Sequence, residues 1–488
     1  MSFSGKPGFF RLLGAAVATL AVVGCSQSAS LSRQALLDPE TCKSCHPDQF
    51  NDWAGSMHAY SSTDPVFLAM NRRGQRETNG ALGNFCVNCH APMAVHEGKT
   101  TDGLNLDQVE PKLKGVTCFF CHSIESVDGD HNNPLKLATD GVMRAAISDP
   151  FANRPHGAAY SPLMDRDRAE SATACGACHD IISPQGAAIE RTFSEWHQSV
   201  FSQIRGATCG QCHMPQSTTD KPAASGVPGA PLRRTHSHTL PAVDTAFTPF
   251  PDTQRQRNEI QSFLDTALQS ALCVEPLGGT SVINVILDNV AAGHAFPSGA
   301  AQDRRAWIEV IAYSGSNVVY SSGVVPDGTA VTALPDRDLW LMRDCMFDSA
   351  GSQVDMFWLS ASYEGNELPA QITFDQADPR FYQTHKIKTF PASGPIPSVL
   401  DRVTLRVRLQ SMGLDVIDDL IRSGDLDAQF RGAVPTFAIG GTLEWTPAAA
   451  THIYVDRSTS SPVYCVTNTN LNVQADKFPA PTRSHCAP

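Results

Sequence analysis

The chain has 488 residues, enough for two or three domains. Its fifteen cysteines exceed what an ordinary cytosolic enzyme carries, yet they are spread too thinly for a small disulfide scaffold. Lys and Arg number 37 against 49 Asp and Glu, a net charge of -12 that argues against nucleic acid or electrostatic adhesion to anionic lipid and suits a partner with a basic docking face.

In chain order, Lys6 and Arg11 precede an apolar run from Leu12 to Val23, and Val22-Val23-Gly24-Cys25-Ser26 follows. This pattern is that of a secretory signal over residues 1–24, and the run is shorter than the ~20 residues a membrane span needs. Its ending resembles the lipobox of bacterial lipoproteins. The resemblance implies lipidation of Cys25, and Ser26 in place of Asp implies the outer membrane, facing periplasm or cell surface. Residues 25–40 begin Ser/Gln-rich and read as a tether.

Between residues 41 and 216 five C-x-x-C-H motifs occur: Cys42–Cys45–His46, Cys86–Cys89–His90, Cys118–Cys121–His122, Cys175–Cys178–His179 and Cys209–Cys212–His213. Two thiols three apart on one helical turn reach the two vinyl groups of one haem, and the adjacent His lies under the iron as proximal ligand. At this Cys and His content, chance supplies on the order of 0.01 such motifs. Zinc pairs do not require a His after each pair, and thioredoxin-like pairs leave the five His residues unexplained. The expectation is five covalently attached haem c groups. With about 34 residues per haem, the segment is expected to lack a large conventional core and to wrap its haems in short helices and loops.

Distal ligands decide whether each iron carries electrons or binds substrate. Trp53-Ala54-Gly55-Ser56-Met57-His58-Ala59 resembles the W-x-x-S-x-H-A segment of multihaem cytochromes, the group that includes the tetrahaem electron carrier and the hydroxylamine oxidoreductase of ammonia oxidisers. Arg154-Pro155-His156-Gly157, Cys209 to Pro215 and Arg234-Thr235-His236-Ser237-His238 match further segments of that group, and the resemblance spans roughly residues 40–310. It implies distal ligation by His58 and His156. His96, His131 and one of His236 or His238 are further candidates. A second Trp-x-x-Ser segment, Trp196 to Phe201, carries Phe201 where the His would stand, with His197 four positions earlier. It is the one hint of an open haem.

Residues 217–273 read as a Ser/Thr/Pro/Gly linker, 217–231, followed by a helical pattern from Pro251 to Cys273. From 274 to 488 strands dominate: Val282–Leu287, Trp307–Ile311, Val318–Ser321 and Val403–Leu409, interrupted by a helix around Leu414–Leu426. The fold class is therefore α+β, a loop- and helix-rich multihaem segment followed by a mostly β, sandwich-like domain. Gly293-His294-Ala295-Phe296-Pro297-Ser298-Gly299 resembles a G-H-x-F-P-[ST]-G segment of related cytochromes, and His294 is a candidate to reach back as a distal ligand. Cys273, Cys345, Cys465 and Cys486 allow two disulfides in three connectivities.

Two functions remain. One is an electron relay between a redox donor and an acceptor, membrane-bound through its lipid. The other is an oxidoreductase with one open haem acting on a small nitrogen or sulfur compound. No C-x-x-C-K motif occurs, and only eight tyrosines are present, which favours the relay. An oligomer or filament that shares a ligand between subunits is permitted and not specifically indicated.

Overall fold

The structure is a computed structural model and describes Met1–Ser2 and residues 30–151, 154–456 and 461–468. The signal-peptide and lipidation readings, and Cys486, fall outside these residues. The chain is mixed α+β, with a helix-rich N-terminal part and a β-rich C-terminal part.

The N-terminal part is built from short helices begun by a proline or a polar cap. Asp38 caps Pro39–Lys43, Ser56 caps Met57–Tyr60, and Asp64 caps helix α1, Pro65–Glu77. The cap side chain accepts a backbone N–H that a helix of one or two turns would otherwise leave without a partner. The stretch from 66 to 120 departs from the expectation of a core made by haem alone. Val66, Phe67, Ala69 and Met70 on α1 join Val87, Met93, Leu113, Phe119 and Phe120 in one buried apolar cluster. These residues recur at helical spacing, so they bury one another.

In the C-terminal part, helix α2, Thr253–Ala267, leads into strands β1, Gln269–Leu277, and β2, Thr280–Asp288. The helix therefore stops before the expected Cys273. Residues 269–277 pair with β2 along their whole length, with Cys273 opposite Asn284, and this ladder overrides the helical spacing of Leu268 and Leu272. The remaining long strands are β3 (Arg305–Ser314), β4 (Asn317–Ser322), β5 (His385–Phe390), β6 (Arg402–Gln410), β7 (Thr436–Trp445), β8 (His452–Asp456) and β9 (Ser461–Thr467). They form two antiparallel sheets, ordered β5-β2-β1-β9-β8 and β4-β3-β6-β7. Ile283 and Val285 of one sheet, Ile308 and Val310 of the other, and Ile260 and Leu264 of α2 share a single core, as expected of a sandwich. Among the four leftover cysteines the structure joins Cys273 to Cys465, with their Cα atoms 4.1 Å apart across β1 and β9.

The two parts are firmly joined. Helix α3, Leu414–Arg422, buries Val416, Ile417 and Leu420 in the same cluster as α1. Arg73 reaches Asp419 at 2.5 Å, Arg76 reaches Asp425 at 2.5 Å, and the Trp358 indole donates to Glu77 at 2.9 Å. The segment read as a linker folds back instead of spanning a gap: Lys221–Pro222 pairs with Leu232–Arg233, and the Ser225 N–H donates to the Cys45 carbonyl at 2.7 Å.

Candidate haem sites

Each attachment motif places its thiols and imidazole on one turn. Three of the five lie within helices, Cys118–His122, Glu170–His179 and Cys209–His213; Cys86 precedes the helix Val87–His90, and Cys42 lies in the last turn of Pro39–Lys43. Thr117 and Thr208 cap the third and fifth, the latter through a capping box with Gln211.

The imidazoles opposite these motifs provide a geometric test of haem ligation. A ligated imidazole has its centroid about 3 Å from the metal, given a metal–nitrogen bond of roughly 2 Å, so two ligands on opposite faces of one iron stand roughly 6 Å apart. His46 and His156 have ring centroids 6.3 Å apart, His58 and His179 6.2 Å, and His122 and His238 6.5 Å. Three of the motif histidines thus face a second imidazole at the spacing that two ligands of one iron would have. His122 donates from Nδ1 to the Arg144 carbonyl at 2.6 Å, His156 to Gly157 at 2.9 Å and His238 to His236 at 3.0 Å. Each bond fixes the tautomer and leaves Nε2 for a metal. Burial, reinforced by neighbouring imidazoles, lowers His46, His58, His179 and His238 from 6.5 to about 4. They are neutral, as a metal ligand must be, at any physiological pH.

The other candidates separate clearly. His96 and His131 are exposed, and His131 pairs with Asp130 at 2.6 Å. His197 is exposed and stacks on Phe193. Of the pair left open by sequence, His238 faces His122, whereas the Nε2 of His236 meets the Gln216 amide at 3.4 Å. His294 is half-buried and donates from Nδ1 to the Ala295 carbonyl at 2.8 Å; it lies near both His179 and His213, and the latter's own Nδ1 donates to Pro241 at 2.8 Å. His90 donates to the Ser61 carbonyl at 3.2 Å and stacks face to face on Phe67, centroids 4.1 Å apart.

An internal repeat explains Phe201. The Trp53 indole donates to the Val116 carbonyl at 2.7 Å, and the Trp196 indole to Ala207 at 2.9 Å, each two residues before an attachment cysteine. Ser56 and Ser199 each donate back to their Trp carbonyl at 2.7 Å. The Val116 N–H donates to the His58 carbonyl, and the Ala207 N–H to the Phe201 carbonyl, both at 2.8 Å. Phe201 is therefore the structural counterpart of His58. Its ring lies beside Gly293, where a Cβ would sit 3.9 Å from it, so the β-rich part supplies His294 next to the position where the repeat lost its histidine. The parallel Gly115-Val116-Thr117-Cys118 and Gly206-Ala207-Thr208-Cys209 is the sequence signal for this repeat.

The segment carrying His294 is held by the haem-binding part. Glu195 accepts from the Ala295 N–H at 3.1 Å and the Ser298 hydroxyl at 2.7 Å, and Thr192 shares a 2.8 Å bond with Ser298. Behind it, Arg304 makes two 3.0 Å bonds to Asp244 and donates to the Ser298 and Ser411 carbonyls at 2.9 Å. Arg304 follows the G-H-x-F-P-S-G segment in the sequence, but nothing in the motif pattern marked Asp244 as its partner.

Cysteines of different motifs also meet. Cys42 lies near Cys118, Cys178 near Cys89, Cys175 near Cys209 and Cys121 near Cys175, close enough to perturb one another's ionisation. By motif number these neighbours are 1 and 3, 3 and 4, 4 and 5, and 2 and 4. Cys212, in the fifth motif, is exposed.

Comparison with known proteins agrees with this construction. Residues 41–123 match the family model described as cytochrome c554 and c-prime. The fold is similar to that of a penta-heme cytochrome c552 from Thermochromatium tepidum, with a TM-score of 0.59 and 17% identity, covering 84% of this chain and 98% of that one. No curated protein matches. The motifs, the family match and the fold together support a multihaem c-type cytochrome with covalently bound haem c and a role in electron transfer.

Proposed function

We propose that this chain binds five haems and relays electrons through them between two redox partners, as an exported lipoprotein anchored through Cys25. The observation that carries the reading is the set of three imidazole pairs at 6.2–6.5 Å. Two histidines on one iron fill both axial positions, which suits a carrier and leaves no room for substrate. The nearness of cysteines from different motifs agrees with closely spaced haems. The proximal ligands are His46, His90, His122, His179 and His213. The distal ligands are His156 to His46, His238 to His122, His58 to His179 and His294 to His213. Haem supplies one-electron chemistry at low potential; the chain sets ligands, burial and spacing.

A second reading has one specific observation behind it. Five proximal histidines face four half-buried distal candidates among the described side chains, His58, His156, His238 and His294. His294 lies near both His213 and His179, and His179 already faces His58 at 6.2 Å. Among the described rings His90 meets Phe67 and no second imidazole at about 6 Å, so this site is the candidate for the open face that an oxidoreductase acting on a small nitrogen or sulfur compound would need. Mass spectrometry of the mature protein tests the haem count: five additions are expected, and four or fewer overturn it. Electron paramagnetic resonance tests the ligands. Four low-spin centres and one high-spin centre are expected. A high-spin signal that shifts with nitrite or hydroxylamine decides for the enzyme, and one inert to both decides for the relay.

A further inference from the structure

The two copies of the Trp-x-x-Ser repeat share one more element. An acidic residue precedes each indole, Asp52 before Trp53 and Glu195 before Trp196. Both acids are half-buried, and both use their two oxygens in the same way. Asp52 Oδ2 accepts from the Ser237 hydroxyl at 3.0 Å and the His238 N–H at 3.1 Å, while Oδ1 accepts from Arg255 at 2.7 Å. Glu195 Oε2 accepts from the Ser298 hydroxyl at 2.7 Å and the Ala295 N–H at 3.1 Å, while Oε1 lies 3.6 Å from the Arg191 guanidinium. One oxygen thus grips a backbone N–H and a serine of a distant segment, and the other faces an arginine. Each arginine is anchored in turn. Arg255 also donates to the Asn51 carbonyl at 3.1 Å, and Arg191 pairs with Asp344 at 2.8 Å and Glu367 at 3.0 Å.

The gripped segments are the ones that carry His238 and His294. His238 faces His122 of the third motif at 6.5 Å, and Trp53, next to Asp52, braces that same motif through the Val116 carbonyl. In the second copy Trp196 braces the fifth motif through the Ala207 carbonyl. By this correspondence Glu195 delivers His294 to the fifth motif, whose proximal histidine is His213. His179, the other imidazole near His294, already faces His58 at 6.2 Å. The second copy keeps its acid although Phe201 stands where the first has His58, so the grip does not depend on the repeat bearing a histidine of its own.

We infer that Asp52 and Glu195 are positioning residues for haem ligation. Each acid–Trp pair sets both sides of one site. The indole fixes the chain that begins the attachment motif, and the carboxyl group fixes the segment that brings the distal imidazole. The gripped serine and N–H lie 185 and 100 positions further along the chain in the two copies, so no local turn holds either imidazole in place. Hydrogen bonds from a supporting side chain do so instead, as they do for other ligands that must be held in one pose. The inference rests on the reading of His238 and His294 as distal ligands.

The test compares Asp52→Ala, Glu195→Ala and Glu195→Gln with His238→Ala and His294→Ala in the full-length holoprotein. Electron paramagnetic resonance reads the low-spin signals, and stopped flow reads carbon monoxide binding to the reduced protein, which needs a vacant axial position. Each histidine variant should lose one low-spin signal, a different one in each. Asp52→Ala should weaken the signal that His238→Ala removes, and Glu195→Ala the one that His294→Ala removes, with the other signals unaltered. Carbon monoxide should bind the affected haem roughly tenfold faster than in the wild type, and added imidazole should restore the low-spin signal. Glu195→Gln keeps an acceptor for the Ala295 N–H and loses the pairing with Arg191; it should show the same change more weakly, and it decides the matter where the alanine variant fails to assemble its haems. Trp196→Phe should perturb the same signal as Glu195→Ala, and a change confined to another signal, or none, overturns the sharing of one site. Histidine variants with every low-spin signal intact overturn the ligand reading and the positioning role with it. A signal lost in the histidine variants, with wild-type signals and carbon monoxide kinetics in the acid variants, overturns the positioning role alone.

Discussion

His58→Ala tests the ligand geometry most directly. His58 and His179 have ring centroids 6.2 Å apart, the separation of two imidazoles sharing one iron. The backbone bond that seats the segment, from the Val116 N–H to the His58 carbonyl, does not involve the side chain, and neither does the Ser56 cap. The fold should therefore survive. One of five attachment motifs loses its distal ligand, so about one fifth of the haem is expected to leave the low-spin pool and appear as a high-spin signal. Added imidazole should enter the vacated space and restore the low-spin signal, which a merely structural lesion would not allow. Quantitative electron paramagnetic resonance, with and without imidazole, reads both effects. Full low-spin intensity in the variant would refute the pairing of His58 with His179 and the distance argument behind all three pairs.

Four further outcomes are expected. His238→Ala should remove one low-spin centre, while His236→Ala should leave the spectrum unchanged; the reverse pattern would reassign the ligand of the third motif. His294→Met should shift the spectrum and midpoint potential of one haem, measured by spectroelectrochemistry, and an unaltered titration would remove His294 from the ligand set. Asp415→Asn should cost about 3–5 kcal/mol in thermal or urea unfolding. It takes the carboxylate from Arg305, which is 2% exposed and bonds it at 2.5 and 3.1 Å; a loss below about 1 kcal/mol would contradict this. Asp303→Asn should change the pH dependence of stability. Burial raises the Asp303 carboxyl from 3.8 to about 7, against the pull of Arg305 and Arg304. As pH rises from about 4 to about 7 the unfolded chain releases this proton and the folded chain keeps it, so the wild type loses about 1.4 kcal/mol per pH unit. The variant does not titrate there and should gain on the wild type by about 3 kcal/mol between pH 5 and 7.5, read from melting midpoints at those two pH values. A constant difference between the two pH values would show that Asp303 is already ionised.

Much of the candidate site was legible in the chain itself, because haem attachment is local chemistry. Two thiols and an imidazole on a single helical turn need only the spacing C-x-x-C-H, so Cys42 to His46 and its four repeats can be read without a fold. The strands around Val282, Trp307 and Val403 were legible for a similar reason, since the apolar runs that form them are continuous in sequence. Distal ligation is different. His58 and His179 are 121 positions apart and His122 and His238 116, and only the packed chain brings their rings to one spacing. Sequence could not rank His236 against His238, two positions apart, because the choice depends on which side of one backbone segment faces His122. Nor could it show that helix α2 would yield to a strand at Gln269, because a ladder with β2 is a long-range contact. Phe201 unites the two levels. Its departure from the Trp-x-x-Ser-x-His pattern is plain in the sequence, yet only the tertiary structure sets it beside Gly293 and His294, because the replacement imidazole lies on a segment nearly a hundred residues further along.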